Sequence, residues 1–423
     1  MNSTLIVLTQ NFPYLPGEHF FETELHYLKK DFNEIIISPV AYKPENEQRE
    51  VPENVHVKPL RRNVTSVKAL TYLRRLTVLS DSQAMKWFNE EFGSARKHGS
   101  KGVLKLINWL SLAVNIRKQI EQNYMKNNTN LSECVFYSYW FSPAAIALGM
   151  LKEKYGEAIK GVSRAHGGDL YAYRHTPPYL PLQGKTITNL YELYTISADG
   201  KHYLQNQYPE LIPSKLSVSR LGTVGGEQIS PRNIDEQLHI VTCSYMVEVK
   251  RLDLLIESLS RTTVNVKWTH IGNGPLWDQL NELAAEKLPP NVEWEFLGFM
   301  NNAQIRAYYQ HTPVDVFMNV SASEGVPVSI MEAFSYGIPV VATDVGGTSE
   351  LVNDQNGKLL EKDASPEQIA EAIEAFAAMS ELDYDSASKH AYEMWDENYN
   401  AEKNYAEFSR QLVLLGGNQQ HEG

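Results

Sequence analysis

The sequence has few cysteines and no long apolar run, and both shortages restrict its class. Its 423 residues include two cysteines, Cys134 and Cys243, each in an apolar segment typical of a strand. We therefore expect buried free thiols in a reducing cytoplasm, and neither a disulfide nor a cysteine metal site. No run of about 18 apolar residues occurs, so no transmembrane helix is predicted. The N-terminus has no basic region or cleavage site and is interpreted as a first strand rather than a signal peptide.

Motifs for redox cofactors and metals are scarce as well. The loop after the first strand contains a single glycine, Gly17, and no G-x-G-x-x-G, which disfavours a dinucleotide-dependent oxidoreductase. The one D-x-D, at residues 383–385, lies in an acidic helical stretch far in sequence from every predicted strand end. We therefore expect no cofactor and no metal site.

Acidic residues outnumber basic ones in the chain as a whole, but one region is rich in basic residues. The net charge of −12 disfavours nucleic acid as a partner. Residues 56–120, which we call the basic region, nevertheless contain 13 basic and three acidic side chains. This region fits a solvated helical face, or a surface that contacts anionic lipid headgroups or a phosphorylated acceptor. Its segment "GVLKLINWLSLAVNIRK" has apolar residues at helical spacing and fits either an interfacial helix or a core helix.

Strand and helix signals alternate along the chain, which predicts an α/β protein with parallel sheets. The first domain is assigned to residues 1–220 and the second to residues 221–397. Between them, residues 220–233 are rich in glycine and turn residues, which is typical of a hinge. Ligands of parallel α/β sheets bind beyond the C-terminal ends of the strands.

The stretch from Asp315 to Val352 carries the strongest functional signal. It is predicted to form a strand, a tight loop, a helix over about residues 327–336 that ends at Gly337, and a second strand. Unpaired N–H groups at the start of such a helix form an anion site. Glu324 and Glu332 bracket that site. A nucleotide-sugar site requires this combination of a loop for the diphosphate and carboxylates for sugar hydroxyls.

Within this stretch the pattern S-x-S-E-G-x-P-x-S-x-x-E-A-x-x-x-G-x-P-V-V-A-T-D-x-G-G resembles the retaining glycosyltransferases of family 4. A second pattern, S-R-A-H-G-x-D-L-Y at residues 163–171, is similar to the subgroup that builds bacterial surface polysaccharides. The resemblance implies the GT-B fold, in which two Rossmann-like α/β domains face a central cleft. It also implies that a C-terminal helix, residues 398–418, packs back onto the first domain.

The implied activity is transfer of a sugar from a nucleotide-diphosphate-sugar, with UDP-sugars favoured, to a glycan or lipid-linked acceptor with retention of configuration. By this resemblance Glu332 would bind the ribose hydroxyls and Glu324 the hydroxyls of the donor sugar. Lys250 would stabilise the leaving diphosphate. The expected backbone contacts to the diphosphate and the base come from Gly325, Val326, Pro327, Val328, Gly298, Phe299, Met300 and Gly272.

The sequence departs from the family at one position of this donor site. Tyr245 stands where an arginine directed at the diphosphate is usual. The nearby Arg251 is a candidate to replace that contact.

The resemblance assigns the acceptor and the reacting face to the first domain. His166 would lie beside the reacting face of the donor sugar. Arg164 and Asp169 would shape the acceptor side, and Gly17 would let the chain approach both substrates. No side chain stands out as a covalent nucleophile, so the leaving phosphate itself would accept the proton of the acceptor.

Two other functions stay open. A sugar-nucleotide epimerase or a phosphorylase could share the fold, although the E-G-x-P…E-A loop favours transfer. A non-catalytic glycosyltransferase-like subunit is favoured by Tyr245 and opposed by the joint presence of Glu324, Glu332, Lys250 and His166. The expected location is the cytoplasm, at the inner face of the cell membrane if the basic region binds lipid.

Overall fold

The computed structural model describes residues 3–15, 17–43, 45–60, 77–125, 131–211, 213–226, 228–231, 233 and 237–417. The chain divides into two compact units, which we call the first and the second unit. The first contains Met1–Arg220 together with Tyr405–Gly423, and the second contains Leu221–Asn404. The C-terminal helix is thus assigned to the first unit from Tyr405, rather than from residue 398.

The first unit is built on one parallel sheet. Its strands are β1 (Thr4–Thr9), β2 (Glu34–Pro39), β3 (Val55–Val57), β4 (Cys134–Ser138), β5 (Lys160–Ala165), β6 (Glu192–Thr195) and β7 (Leu216–Val218). Their order in the sheet is β3-β2-β1-β4-β5-β6-β7, and every neighbouring pair is parallel. Strands β1 and β4 read as nearly continuous apolar runs because both faces of the sheet are covered.

The helices of the first unit are α1 (His19–Asp31), α2 (Ser82–Arg96), α3 (Gly99–Ile120), α4 (Pro143–Tyr155), α5 (Gly167–Leu170), α6 (Gln183–Asn189) and α7 (Ala198–Gln207). Short helical turns occur at Glu121–Met125, Leu131–Glu133, Gly156–Ala158, Ala172–Arg174 and Pro213–Lys215. Helix α4 begins at a serine cap, because the hydroxyl of Ser142 accepts the N–H of Ala144.

Helix α3 contains the apolar segment of the basic region, and the structure makes it a core helix. Its residues Leu106, Leu110 and Val114 are fully buried in the first unit's core. Among the positive charges, Arg117 is buried in an ion pair with Asp81. Part of the basic charge is therefore neutralised internally. Residues 61–76, which supply five of the 13 basic side chains, lie outside the described residues.

The second unit is a six-stranded parallel sheet. Its strands are β8 (Leu238–Cys243), β9 (Val266–Ile271), β10 (Val292–Gly298), β11 (Val316–Asn319), β12 (Val340–Thr343) and β13 (Gly357–Leu360). The order is β10-β9-β8-β11-β12-β13. Its helices, followed by the C-terminal helix, are α8 (Leu252–Leu259), α9 (Trp277–Lys287), α10 (Asn302–His311), α11 (Val328–Phe334), α12 (Pro366–Ala377), α13 (Glu381–Asn398) and α14 (Ala401–Gly416). Helical turns lie at Glu248–Lys250 and Gly346–Glu350.

Local chemistry explains where these helices start and stop. Helix α12 begins with a capping box, in which Ser365 and Gln368 each accept the other's backbone N–H. Helix α11 spans seven residues, fewer than the sequence predicted. Beyond it the chain turns through Gly337, which has the left-handed φ of 67° that favours glycine.

Each sheet reverses its direction of winding once, and that point fixes where a ligand can enter. In the first unit the reversal lies between β1 and β4, and in the second unit between β8 and β11. Such a topological switch point leaves a crevice beyond the C-terminal ends of the two strands, because the loops that follow them lead to opposite faces of the sheet. We refer to these two places as the first and second switch points. Among the described residues, no helix combines the length and the apolar character needed to cross a membrane.

Candidate functional site

The second switch point brings together two of the predicted catalytic residues. Lys250 follows β8 and Glu324 follows β11, and their Nζ and Oε1 atoms are 2.6 Å apart. The side-chain amide of Asn319 also donates to the Glu324 carboxylate, at 3.3 Å. The Lys250 and Glu324 side chains are 24% and 12% exposed. A cation and a carboxylate are therefore held at the crevice with a part of each open to a ligand.

Glu332 lies in the second turn of α11 and is partly buried. Across the described part of the chain, no hydrogen bond or ion pair to its carboxylate is found at ordinary distances. Burial raises the pKa of Glu332 to about 7, while the positive charge of Arg306 opposes that rise. A partly buried carboxylate without a partner is costly unless a ligand satisfies it. Glu332 therefore has the environment expected of a ligand-binding group.

The loops after β8, β9 and β10 are joined by backbone hydrogen bonds. The N–H of Gly272 donates to the carbonyl of Gly298 at 2.8 Å, and the N–H of Met246 donates to that of Asn273 at 2.8 Å. A Cβ atom on Gly272 would lie 1.9 Å from the carbonyl oxygen of Ser244, so only glycine fits there. The structure thus brings two predicted nucleotide-binding glycines, Gly272 and Gly298, into direct contact.

Two apolar side chains after β10 are exposed to solvent in whole or in part. Phe299, which follows Gly298, is 72% exposed, and Met300 is partly buried. An exposed ring beside a glycine turn offers a face on which a nucleobase can stack. Contact of this ring with the base stays a prediction.

The loop from Gly325 to Val328 is fixed by the chain that follows β12. The carbonyl of Gly325 accepts the N–H of Gly347 at 2.7 Å. Val326 is buried, and Pro327 precedes the first turn of α11. The loop therefore has a defined backbone path beside Glu324, as a diphosphate-binding loop requires.

Arg251, the candidate to replace the missing arginine, is held by backbone carbonyls. The guanidinium of Arg251 donates to the carbonyls of Val320 at 2.6 Å, Ser321 at 3.0 Å and Lys362 at 3.0 Å. Arg251 therefore fixes the loop after β11 to a neighbouring loop through three of its five N–H donors. Tyr245 is 59% exposed and follows β8 at the edge of the site.

In the first unit, His166 and Asp169 follow β5. The Asp169 carboxylate accepts the N–H of His166 at 2.6 Å and that of Phe141 at 2.8 Å, which joins the loops after β5 and β4. The imidazole of His166 is 8% exposed and packs on the rings of Tyr139 and Trp140. Neither of its ring nitrogens has a hydrogen-bond partner within the described residues. Both nitrogens are shielded from solvent, and the Asp169 carboxylate lies 3.9 Å from Nδ1. Buried polar atoms without a hydrogen bond call for an explanation, and a bound ligand is one.

Arg164 does not line this site, which corrects its predicted role at the acceptor side. Its side chain is fully buried, and its guanidinium lies 2.6 Å from the equally buried carboxylate of Glu24. A second donor contacts the hydroxyl of Ser219 at 2.8 Å, and the guanidinium carbon lies 4.0 Å from the centre of the Phe408 ring. Arg164 therefore ties α1, the chain after β7 and α14 together within the first unit.

Sequence reasoning missed Glu18 and Trp140, which organise the first switch point. Glu18 follows Gly17 directly and precedes α1, and its carboxylate accepts the indole N–H of Trp140 at 2.9 Å. Gly17 has a φ of 154° and its carbonyl accepts a hydrogen bond from Arg49 at 2.9 Å. A glutamate at a helix start is a weak sequence signal, and a contact across 122 residues leaves none.

No group of three or more His, Cys, Asp or Glu side chains within the described residues is arranged to hold a metal. Asp383 lies in the first turn of α13 beside its cap, Ser380. Cys134 and Cys243 are free thiols. Burial raises the pKa of Cys134 to about 11 and that of Cys243 to about 12.

Chemically, the second unit presents the cation of Lys250 paired with the carboxylate of Glu324, together with the glycine turns. It also presents the carboxylate of Glu332, for which the described residues supply no partner. A cation beside a diphosphate stabilises the negative charge that develops as a bond to that diphosphate breaks. Carboxylates accept hydrogen bonds from hydroxyl groups. The arrangement fits a ligand that carries both a diphosphate and several hydroxyls.

The second unit is similar in sequence to known glycosyltransferases. Residues 227–394 match the family model described as "Glycosyl transferases group 1". The colanic acid biosynthesis glycosyltransferase WcaL of Escherichia coli is 31% identical over 216 residues, which are 48% of this chain and 52% of that relative. The chain thus aligns with about half the length of this relative.

Solved structures match over nearly the whole chain. The lipopolysaccharide outer core galactosyltransferase WaaB, in its apo form, has a TM-score of 0.67 at 16% identity and covers 96% of this chain and 99% of its own. Anabaena HepE, solved in complex with UDP, has a TM-score of 0.63 at 13% identity, with 97% and 100% coverage. The predicted fold class is confirmed: the chain has two parallel-sheet, Rossmann-like α/β units of the GT-B type.

Proposed function

We propose that this protein is a retaining glycosyltransferase of family 4. It transfers a sugar from a nucleotide-diphosphate-sugar, with UDP-sugars favoured, to a glycan or lipid-linked acceptor in cell-surface polysaccharide biosynthesis. The observation that carries the proposal is the second switch point, where the Lys250–Glu324 pair lies in the same unit as Glu332. The carboxylate of Glu332 has no partner among the described residues. The match of residues 227–394 to a glycosyltransferase model supports it.

Each side chain has a role in this proposal. Glu332 accepts hydrogen bonds from the ribose hydroxyls, and Glu324 accepts them from the donor sugar. Lys250 exchanges part of its contact with Glu324 for the diphosphate, whose charge rises as the glycosidic bond breaks. His166 acts at the reacting face of the donor sugar, as the family resemblance implies. The leaving phosphate accepts the acceptor's proton, so no metal or cofactor takes part.

The donor base and the biological role rest on the relatives. HepE, which shares the fold, is solved with UDP, and this favours a uridine nucleotide. WcaL is named for colanic acid biosynthesis, and this favours a surface polysaccharide as the destination of the sugar. Action at the inner face of the membrane is part of the proposal and depends on the basic side chains that stay exposed, such as Lys97 and Lys101.

A thermal-shift screen tests the donor. The wild-type protein is heated with UDP-glucose, UDP-galactose, UDP-N-acetylglucosamine, GDP-mannose and ADP-glucose in turn. A donor at about 100 times its Kd stabilises the protein by about 2.7 kcal/mol and raises Tm. Glu332→Ala should lose that rise, whereas Glu361→Ala, which removes an exposed carboxylate, should keep it. A Tm that no sugar nucleotide changes would contradict the proposal.

The stereochemistry is tested on the product. Proton NMR of the new glycosidic bond should show the anomeric configuration of the donor. An inverted product would exclude a retaining reaction while leaving donor binding intact.

A non-catalytic binding subunit is the second candidate, and one observation favours it. Tyr245 stands where a cation is usual, and the guanidinium of Arg251 is held by three backbone carbonyls. Such a subunit would bind a sugar nucleotide in the thermal-shift screen yet release no nucleoside diphosphate with any acceptor.

A further inference from the structure

Glu18 lies at the first switch point in an unusual backbone conformation. It has φ 43° and ψ 46°, the left-handed region that side-chain-bearing residues rarely adopt. Its carboxylate accepts three successive backbone N–H groups of the loop after β1, from Gln10 at 2.5 Å, Asn11 at 2.8 Å and Phe12 at 2.5 Å. Successive N–H groups that converge in this way form a concave anion site. Here the chain fills that site with its own carboxylate.

The same carboxylate reaches the loop after β4. Its Oε1 atom accepts the indole N–H of Trp140 at 2.9 Å. Four N–H donors from two loops therefore converge on one side chain. A carboxylate has enough lone pairs to accept all four, whereas an amide offers one oxygen and would place its NH₂ group against N–H donors.

The indole that Glu18 holds packs on His166. The ring centres of Trp140 and His166 are 4.5 Å apart, and those of Tyr139 and His166 are 5.0 Å apart. No hydrogen bond from the described residues holds either ring nitrogen of His166, and the Asp169 carboxylate lies 3.9 Å from Nδ1. Ring packing therefore sets the orientation of the imidazole together with this carboxylate. Any shift of Trp140 is thus transmitted to His166.

We propose that Glu18 is a positioning residue for His166: by fixing the loop after β1 and the indole of Trp140, it holds the imidazole in the orientation that faces the donor sugar. The inference rests on the proposed function, since it takes His166 as the side chain at the reacting face. Glu18 itself contacts no substrate, and its effect reaches the reaction through Trp140.

Glu18→Gln tests the proposal, with Glu22→Gln as the matched control. Glu22 lies one turn further along and is exposed, and it forms a 3.7 Å ion pair with Arg49. Release of nucleoside diphosphate is measured with the one of the five sugar nucleotides that stabilises the protein most. Glu18→Gln should lower kcat by about ten- to a hundredfold with little change in donor KM, because a small misplacement of a reacting group has such an effect. Glu22→Gln should leave both unchanged.

A double-mutant cycle separates positioning from general damage to the fold. If Glu18 acts through His166, Glu18→Gln should have no further effect on kcat in the His166→Ala background. Additive losses in the two variants would overturn the proposal.

A readout without turnover keeps the test separate from the proposed function. The His166 ring signal is identified in a proton–carbon NMR spectrum as the one of 12 histidine signals that His166→Ala removes. Its chemical shift should move in Glu18→Gln and stay in place in Glu22→Gln. An unmoved His166 signal in folded Glu18→Gln overturns the positioning role, even if the transferase is active. A moved signal in a protein that turns over no sugar nucleotide supports the positioning and contradicts the proposed function.

Discussion

The two switch points share one topology and differ in what satisfies their polar groups. At the first, the chain supplies its own partner, because Glu18 accepts three backbone N–H groups and an indole N–H. At the second, Lys250 and Glu324 are partly exposed, and Glu332 has no partner within the described residues. The same crevice of an α/β sheet therefore serves as a scaffold in one unit and is left for a ligand in the other.

One ion pair from each unit shows the same difference between a structural role and a ligand-binding role. Arg164 and Glu24 are both fully buried at 2.6 Å, whereas Lys250 and Glu324 at the same distance keep access to solvent. A fully buried pair cannot exchange partners without unfolding its surroundings. A partly exposed pair can release one partner to a phosphate. Accessibility, rather than distance, separates the structural pair from the candidate catalytic one.

The largest effect is expected where the buried pair is broken. Arg164→Met leaves the Glu24 carboxylate buried without its cation and should lower the free energy of unfolding by about 3–5 kcal/mol. Urea unfolding followed by circular dichroism measures this loss. The double variant Arg164→Met with Glu24→Leu should recover most of it, since apolar residues can replace a buried pair. A single variant that loses less than about 1 kcal/mol would mean that the pair is not structural.

The next effect is on turnover at the exposed pair. Glu324→Ala should reduce kcat about a hundredfold, the size seen when one group that stabilises a transition state is removed. Donor Kd should change much less, because the freed Lys250 can then contact the diphosphate fully. Nucleoside diphosphate release and thermal shift measure the two quantities, and Glu361→Ala is the exposed control. Equal losses of kcat and affinity would assign Glu324 to binding alone.

A smaller, pH-dependent effect is expected at Glu332, whose pKa in the folded protein is raised to about 7 from an ordinary value of 4.5. Between these values the folded protein holds a proton that the unfolded chain releases. Stability should therefore fall as pH rises through this window, by up to about 1.4 kcal/mol per pH unit. Donor affinity should rise over the same window, because ionised Glu332 is the better acceptor. The checks are unfolding and donor titrations from pH 4.5 to 8, and Glu332→Gln should flatten both differences.

The smallest effect is expected where a cation is restored. Tyr245→Arg places a guanidinium at the exposed edge of the second switch point and should tighten donor binding by about 1 kcal/mol or less, as for an exposed ion pair. Isothermal titration at low and high salt measures it, and the gain should shrink in salt. Weaker binding by Tyr245→Arg would show that the tyrosine ring itself contacts the donor.

Sequence patterning predicted the parts of this fold that local chemistry determines. The alternation of apolar strands and helices predicted both sheets, and the turn at Gly337 that follows α11 was predicted as well. The tight loop with Glu324, and Glu332 beyond it, followed from a strand–loop–helix pattern. These features depend on residues that are close in sequence, and local sequence patterns therefore predict them.

Contacts between distant segments could not be predicted in this way. The resemblance implies a role for Arg164 at the acceptor side, yet its side chain is fully buried and pairs with Glu24, 140 residues away. Arg251 was expected to face a phosphate, but carbonyls up to 111 residues away hold it. Glu18 finds its partner 122 residues away. The partners of such side chains can be identified only from the three-dimensional structure.

The two cysteines have a practical consequence for following this protein in solution. With pKa values of about 11 and 12, both thiols stay protonated near neutral pH, and the thiolate is the form that reacts with alkylating labels. A cysteine introduced at the exposed Phe299 position should therefore take up a fluorescent maleimide far faster than either native thiol. The native chain can thus carry a single-site reporter of donor binding without first being made cysteine-free.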